Sequence, residues 1–292
     1  MQISASAVKE LRERSGAGMM ECKNALVETA GDIEAALEHL RKSGAAKAAK
    51  KAGRVAAEGA VVVVERDGVA ALVEINSETD FVANDDNFTA FAAAVVEAVL
   101  AKAPSDVAAL GAVALASGET VESDRQQLVL KIGENISIRR FERLAAGAGE
   151  TLGAYRHGKR IGVLVRLEGG SPELARDIAM HVAATNPTCI AESDVPAELL
   201  AKEREIRVAQ AATSGKPADI VDKMVSGQLR KFVSEITLLG QPFVKDPDVT
   251  VGKLIAGKAK VLGFTRYEVG EGIEKKTVDF AEEVKAQARA AD

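Results

Sequence analysis

Apolar positions recur at helical spacing from the start of the chain and are punctuated by helix-ending signals. Ser4 can cap a helix in which Val8 and Leu11 share a face, and Ser15-Gly16 closes it. Met19, Cys22 and Leu26 continue the spacing as far as Gly31, a C-terminal glycine signal. Asp32 then caps a third helix with Ile33, Ala36, Leu37 and Leu40 at i, i+3, i+4 and i+7, expected to end at Ser43-Gly44. Three short helices make a module too small to hide all its apolar residues, so a partner for the module is expected. Residues 45–54 read as an Ala/Lys tether continuing as helix, with Lys47, Lys50, Lys51 and Arg54 exposed.

From Gly59 the pattern turns extended. Val61 to Glu65, the turn Arg66-Asp67-Gly68 and Val69 to Ile75 predict a β-hairpin, Asp-Gly being its turn signal. A helix follows over about 88–102 and an alternating strand over 135–141. The order then recurs: a hairpin from 152–156 and 161–167 about the turn His157-Gly158-Lys159, a helix capped at Ser171-Pro172 and running to about 184, and a late strand over 261–269. This predicts an α+β fold with two related β-β-α-β halves sharing one core. Two long helical patterns, about 196–213 and 217–237, separated by Ser214-Gly215-Lys216-Pro217, read as an inserted helical hairpin with an antiparallel, coiled-coil-like seam. It serves equally as internal buttress or as interaction arm, and residues 277–289 predict a terminal helix. The expected division is a head and linker at 1–54, core subdomains at 55–146 and at 147–195 with 238–276, the hairpin at 196–237 and the terminal helix at 277–292.

Composition narrows the chemistry. Of 292 residues 47% are hydrophobic but only 3% aromatic, without Trp, so Ala, Val, Leu and Ile must build the core. The net charge of −5 argues against a polyanion as main partner, hence against direct nucleic-acid binding. Residues 1–54 hold ten basic and seven acidic side chains, opposite in sign to the acidic remainder. That contrast could steer association, although a solvated helix surface explains it as well. Cys22 and Cys189 read as reduced thiols. The N-terminus has no apolar signal core and no segment reaches the ~18 uninterrupted apolar residues of a membrane span, so a cytoplasmic protein without membrane association is expected.

Catalytic signatures are missing. None of the Gly-Lys pairs at 158, 215, 252 and 257 ends a phosphate-binding loop, and Gly16-Ala17-Gly18 lacks the third glycine of a dinucleotide fingerprint. His39, His157 and His181 have no zinc-type spacing, and His181, within a helix that reads as half buried, is a packed histidine rather than a general base. No nucleophile pairs with a base at recognisable spacing. A binding protein, not an enzyme, with no metal and no cofactor, is the expectation.

One segment stands apart. After the first hairpin, Asn76-Ser77-Glu78-Thr79-Asp80-Phe81-Val82-Ala83-Asn84-Asp85-Asp86-Asn87-Phe88 sets an aromatic in an acidic loop. Phe81 either folds back on the next helix, with Asp85, Asp86 or Asn87 as cap, or is presented as a wedge for another protein. Thr79-Asp80-Phe81-Val82-Ala83 resembles the signature of the elongation factor Ts family. So, in the family's order, do 8–20 (VKELRERSGAGMM), similar to ubiquitin-associated modules, 131–136 (KIGENI), 157–163 (HGKRIGV), 240–244 (GQPFV) and 268–274 (EVGEGIE). Asn84 departs from the family's frequent Lys, and residues 103–127 match less distinctly.

The resemblance implies a nucleotide exchange factor for the translational GTPase EF-Tu, bound in its GDP or nucleotide-free form. It implies that Arg12, Met19 and Met20 contact the GTPase domain, that the loop Thr79, Asp80, Phe81, Val82 dislodges the nucleotide's Mg²⁺, and that His157 contacts EF-Tu beside the phosphate side. GTP would then displace the factor. Homodimerisation through the helical hairpin is compatible with this reading. An adaptor without effect on nucleotides, or an RNA binder acting through the Lys-rich linker, are the competing classes.

Overall fold

In the computed structural model of the chain, residues 3–212 and 217–274 are described. The terminal helix expected over 277–292 and the turn Ser214-Gly215-Lys216 lie outside the described residues. The fold is α+β, and the chain divides into two compact units. The first holds Met1–Val61, Val73–Phe141 and the segment from Glu268; the second holds Val62–Leu72 and Glu142–Tyr267.

The head forms α1 (Ala5–Ser15), α2 (Met19–Glu28) and α3 (Ile33–Lys51). Ser4 and Asp32 cap α1 and α3 through their side chains, as their positions predict. Leu11, Cys22, Ala25, Leu26, Ala36 and Leu40 form its core. The third helix does not stop at Ser43-Gly44, because tertiary packing rewards its continuation. Gly44 and Ala48 are buried, and a Cβ at Gly44 would already stand 3.6 Å from the Gln126 carbonyl of α6 (Val121–Ile132). Leu130 of α6 joins the head's core. The segment expected as a helical tether is helix as far as Lys51, with Lys50 and Arg54 exposed as expected, but Lys47 is half-buried and ion-paired to Glu21, and Lys51 donates to the Gly133 carbonyl.

In the first half, β1 (Glu58–Arg66) and β2 (Val69–Ser77) meet at Asp67-Gly68, where φ values of 53° and 73° give the doubly positive turn that suits hairpin twist. Then come α4 (Asp86–Lys102), α5 (Val107–Gly111), α6 and β3 (Ser137–Ala145), and the sheet order is β1-β2-β3. The second half repeats this as β4 (Glu150–His157), β5 (Ile161–Gly169), α7 (Pro172–Thr185) and β8 (Ala259–Glu268), with order β4-β5-β8. In each the closing strand pairs with the second hairpin strand. The insertion holds α8 (Ala197–Ala212) and α9 (Ala218–Ile236), which pack on each other and, with so short a connection, run antiparallel. The short β6 (Pro242–Phe243), β7 (Asp246–Thr250) and α10 (Val251–Ile255) follow, too brief for periodicity to reveal.

Buried polar groups fasten late segments of chain. In the first unit Glu74, fully buried on β2, accepts from Arg139 Nη1 (3.0 Å), Arg140 Nε (2.6 Å) and the Gly270 N–H (2.8 Å). Burial pushes its carboxyl upward, but these donors outweigh burial and hold it below the usual range. In the second unit His181 is fully buried, as a packed histidine would be: its Nε2 lies 3.0 Å from Gln241 Oε1, and its Nδ1 accepts from the Val244 N–H at 3.2 Å. An accepting Nδ1 leaves the proton on Nε2, so the neutral imidazole fits both partners and the imidazolium does not.

Gly153 of β4 lies under α7, where an added Cβ would stand 2.3 Å from the backbone of Ala175. Gly153→Ala is expected to destabilise the second unit by about 1–3 kcal/mol through forced separation of helix and sheet; an unchanged urea midpoint would refute this. Burial lowers the His181 pKa, against a smaller upward pull from Gln241. The unfolded chain therefore takes up a proton that the folded chain refuses. This contribution to stability is whole above the ordinary value of 6.5 and declines as pH falls through the depressed folded value. Urea unfolding at about pH 7.5 and 5.5 is expected to show the loss, and His181→Gln to reduce it; an equal loss in the variant would contradict the assignment.

Candidate functional site

β2 is buried along its length to Ser77, and the chain then leaves the sheet. Glu78 is half-buried, Thr79 and Asp80 are exposed, and a single 3-10 turn, Val82–Asn84, leads into α4. With three residues per turn, successive side chains point about 120° apart. Val82 and Ala83 are 7% and 6% exposed, and Phe81, the residue before them, is turned outward at 83%. Phe81 thus does not fold back on the helix; the aromatic place in the core belongs to Phe88, which is fully buried. Of the three candidate caps Asp85 is used: its Oδ1 accepts from the N–H groups of Asn87 (2.8 Å) and Phe88 (3.2 Å). The Asn87 side-chain amide and these N–H groups hold the Asp85 carboxyl below its ordinary range.

The loop is braced from the far end of α6. Glu134 Oε2 accepts from the Thr79 N–H at 2.9 Å and Glu134 Oε1 from Thr79 Oγ1 at 2.6 Å. Reciprocally, Glu78 Oε1 accepts from the Asn135 N–H at 2.6 Å. Ser77 Oγ donates to the Thr79 carbonyl (2.8 Å), and Asn84 Nδ2 donates to the Asp80 carbonyl (3.3 Å). Asn135 Nδ2 donates to the Arg54 carbonyl at 2.8 Å, which continues the brace to the end of the head.

Within the same unit the head contributes to the surroundings of the loop. A groove of about 650 Å³ is lined by Arg12 and Gly16 to Gly18 on one side and by Thr79, Phe81 and Val82 on another, with Lys131 and Glu134 between. Arg12 is exposed, and Met19 and Met20 are 60% and 63% exposed. Both methionines open α2, whose inner face is taken by Cys22 and Leu26, so Met19 is not part of the module's core. His157 belongs to the second unit. It is exposed at the end of β4, its Nδ1 lies 3.1 Å from the Tyr155 hydroxyl, and the two rings stack at 6.2 Å between centroids. Tyr155 packs against the second unit's core and so props the histidine. On α8 and α9, Ile206, Val208 and Ile220 stay exposed.

Sequence reading missed Glu134 and Glu78 as loop braces. Glu134 stands in the 131–136 motif, but nothing local announces a bond to a residue 55 positions away. Among the described residues no cluster of His, Cys, Asp or Glu could hold a metal ion, and no helix is long and apolar enough to cross a membrane.

Apolar side chains held out in water on a braced loop and at a helix start mark a surface suited to contact with another macromolecule. A family model described as Elongation factor TS matches residues 78–271. Proteins named Elongation factor Ts are similar over their whole length: that of Thioalkalivibrio sulfidiphilus (strain HL-EbGR7) is 66% identical over 294 residues, covering 100% of each chain. That of Alkalilimnicola ehrlichii (strain ATCC BAA-1101 / DSM 17681 / MLHE-1) is 59% identical, covering 99% of each. That of Methylococcus capsulatus (strain ATCC 33009 / NCIMB 11132 / Bath) is 58% identical, covering 99% of this chain and 100% of its own. The chain belongs to the elongation factor Ts family. Membership implies nucleotide exchange on EF-Tu in translation elongation.

Loss of the Asp85 cap in Asp85→Ala is expected to cost about 1 kcal/mol and to loosen the start of α4. Faster amide exchange at Asn87 and Phe88 is the measurement; unaltered exchange would show that the cap does not matter.

Proposed function

We propose that this chain releases GDP from EF-Tu by placing Asp80 and Phe81 against the elements that hold the nucleotide's Mg²⁺. Thr79 and Val82 anchor the loop on either side. Arg12, Met19 and Met20 bind the GTPase domain, methionine being suited to irregular grooves, and His157 adds a contact beside the phosphate side. The observation that supports this reading is Phe81 itself: an aromatic 83% exposed on a loop fastened by the hydrogen bonds of Thr79 on one side and by buried Val82 and Ala83 on the other. Holding such a side chain in water has no folding benefit, so a partner surface accounts for it.

The chemistry is displacement, with no bond made or broken. Mg²⁺ keeps a near-octahedral shell of oxygen ligands, and disturbing one of them weakens its hold on the β-phosphate. Coupling is reciprocal: what lowers nucleotide affinity on factor binding lowers factor affinity on nucleotide binding, so GTP can expel the factor. Burying one Phe contributes roughly 1.5–3 kcal/mol, or about ten- to a hundredfold in an equilibrium. The head and His157 must supply further contact energy.

Phe81→Ala is expected to slow stimulated release of fluorescent GDP from EF-Tu by about tenfold or more, with a smaller loss for Asp80→Ala. Met19→Ala with Met20→Ala is expected mainly to raise the concentration of factor needed for half-maximal stimulation. Full stimulation by Phe81→Ala would end the wedge reading.

A further inference from the structure

Thr79 and Asn135 lie just outside regular structure, where backbone N–H groups have no ladder partner and must find one elsewhere. Each finds a carboxylate from the other's segment. Glu134 takes both the N–H (2.9 Å) and the hydroxyl (2.6 Å) of Thr79 on separate oxygens, and Glu78 takes the Asn135 N–H at 2.6 Å. The two dipeptides, 78–79 and 134–135, thus exchange bonds crosswise. Thr79 is separated from Phe81 by one residue, and the anchor on the other side of Phe81 is buried Val82. The aromatic therefore sits between a polar fastening and an apolar one. Two residues, Asp80 and Phe81, held between fixed ends leave few conformations open to the tip.

We propose that Glu134 is the positioning residue of the exchange loop: its two-oxygen grip on Thr79 holds Phe81 outward before any partner arrives. This rests on the wedge reading of Phe81. Glu134 touches neither nucleotide nor Mg²⁺ in this account and acts through Thr79 alone. A loop already ordered loses little freedom on binding, whereas a loosened loop must be ordered at that moment. Charge-assisted hydrogen bonds such as these are stronger than neutral ones, and the effect should fall on the step in which the tip displaces the Mg²⁺ shell. Arg12, Met19 and Met20 lie on the head and would still capture EF-Tu.

The test uses the full chain with Glu134→Gln, Thr79→Val, the two combined, and Phe81→Ala as reference. Glu134→Gln is expected to lower the maximal rate of labelled GDP release from EF-Tu by about tenfold, while the half-saturating concentration of factor stays within about twofold. A merely structural weakening would instead lower the melting temperature and move both parameters. The double variant is expected to be no worse than Glu134→Gln, since the two residues form one fastening. In the free chain, hydrogen exchange at the Thr79 amide is expected to quicken in Glu134→Gln. If Phe81→Ala slows release but Glu134→Gln does not, the wedge stands and the positioning role falls; multiplicative losses in the double variant also overturn it. If Phe81→Ala releases GDP at the unaltered rate, the wedge reading fails and takes the functional half of the proposal with it. Unchanged Thr79 amide exchange would remove the structural half.

Discussion

A backbone N–H outside the ladders must still be satisfied, and in the first unit that requirement organises everything around the exposed loop. Glu134 and Glu78 meet it across the gap between the end of β2 and the end of α6, and Asn135 carries the same connection to the Arg54 carbonyl. α6 is in turn fixed by the close approach of α3 at Gly44 and by Leu130 in the head's core. The head, the loop and α6 therefore form one continuous piece within their unit. Side chains as far apart in sequence as Arg12 and Phe81 border the same groove for that reason.

The two halves solve a shared problem with different chemistry. Each consists of a hairpin, a helix and a closing strand that arrives after a long excursion, and each fastens late chain with a buried polar residue. Glu74 draws in Arg139, Arg140 and Gly270. His181 draws in Gln241 and Val244. A buried polar group costs free energy unless all its bonding capacity is used, so it tolerates only the arrangement that satisfies it. Apolar packing by Val and Ala alone, which dominates this composition, is less selective about position.

The division between buried and presented residues follows from local geometry more than from residue type. Phe88 and Phe81 are seven positions apart, yet one is fully buried and the other 83% exposed. The 3-10 turn between them directs Val82 and Ala83 inward, and the outward direction is what remains for Phe81. In α2 the same logic leaves Met19 and Met20 outside once Cys22 and Leu26 take the inner face.

By itself the sequence determined the α+β class, the repeated order of hairpin, helix and strand, the helical insertion and the family. Those properties reside in periodicity, turn signals such as Asp67-Gly68, and motif order along the chain. Local signals also placed the caps at Ser4, Asp32 and Ser171. Only tertiary structure decided that Phe81 points outward, because an inward and an outward Phe81 have the same local pattern and differ in whether Val82 and Ala83 take the buried places. It alone joined the third helix to the helical segment expected after Ser43-Gly44 without a break, since a weak local stop yields when Gly44 and Ala48 are buried by packing. It alone paired Glu134 with Thr79 and buried His181 against Gln241, for a bond between residues 55 or 60 positions apart leaves no trace in either local pattern. Periodicity reports which face of an element is apolar, and long-range hydrogen bonds are made only once the faces have met.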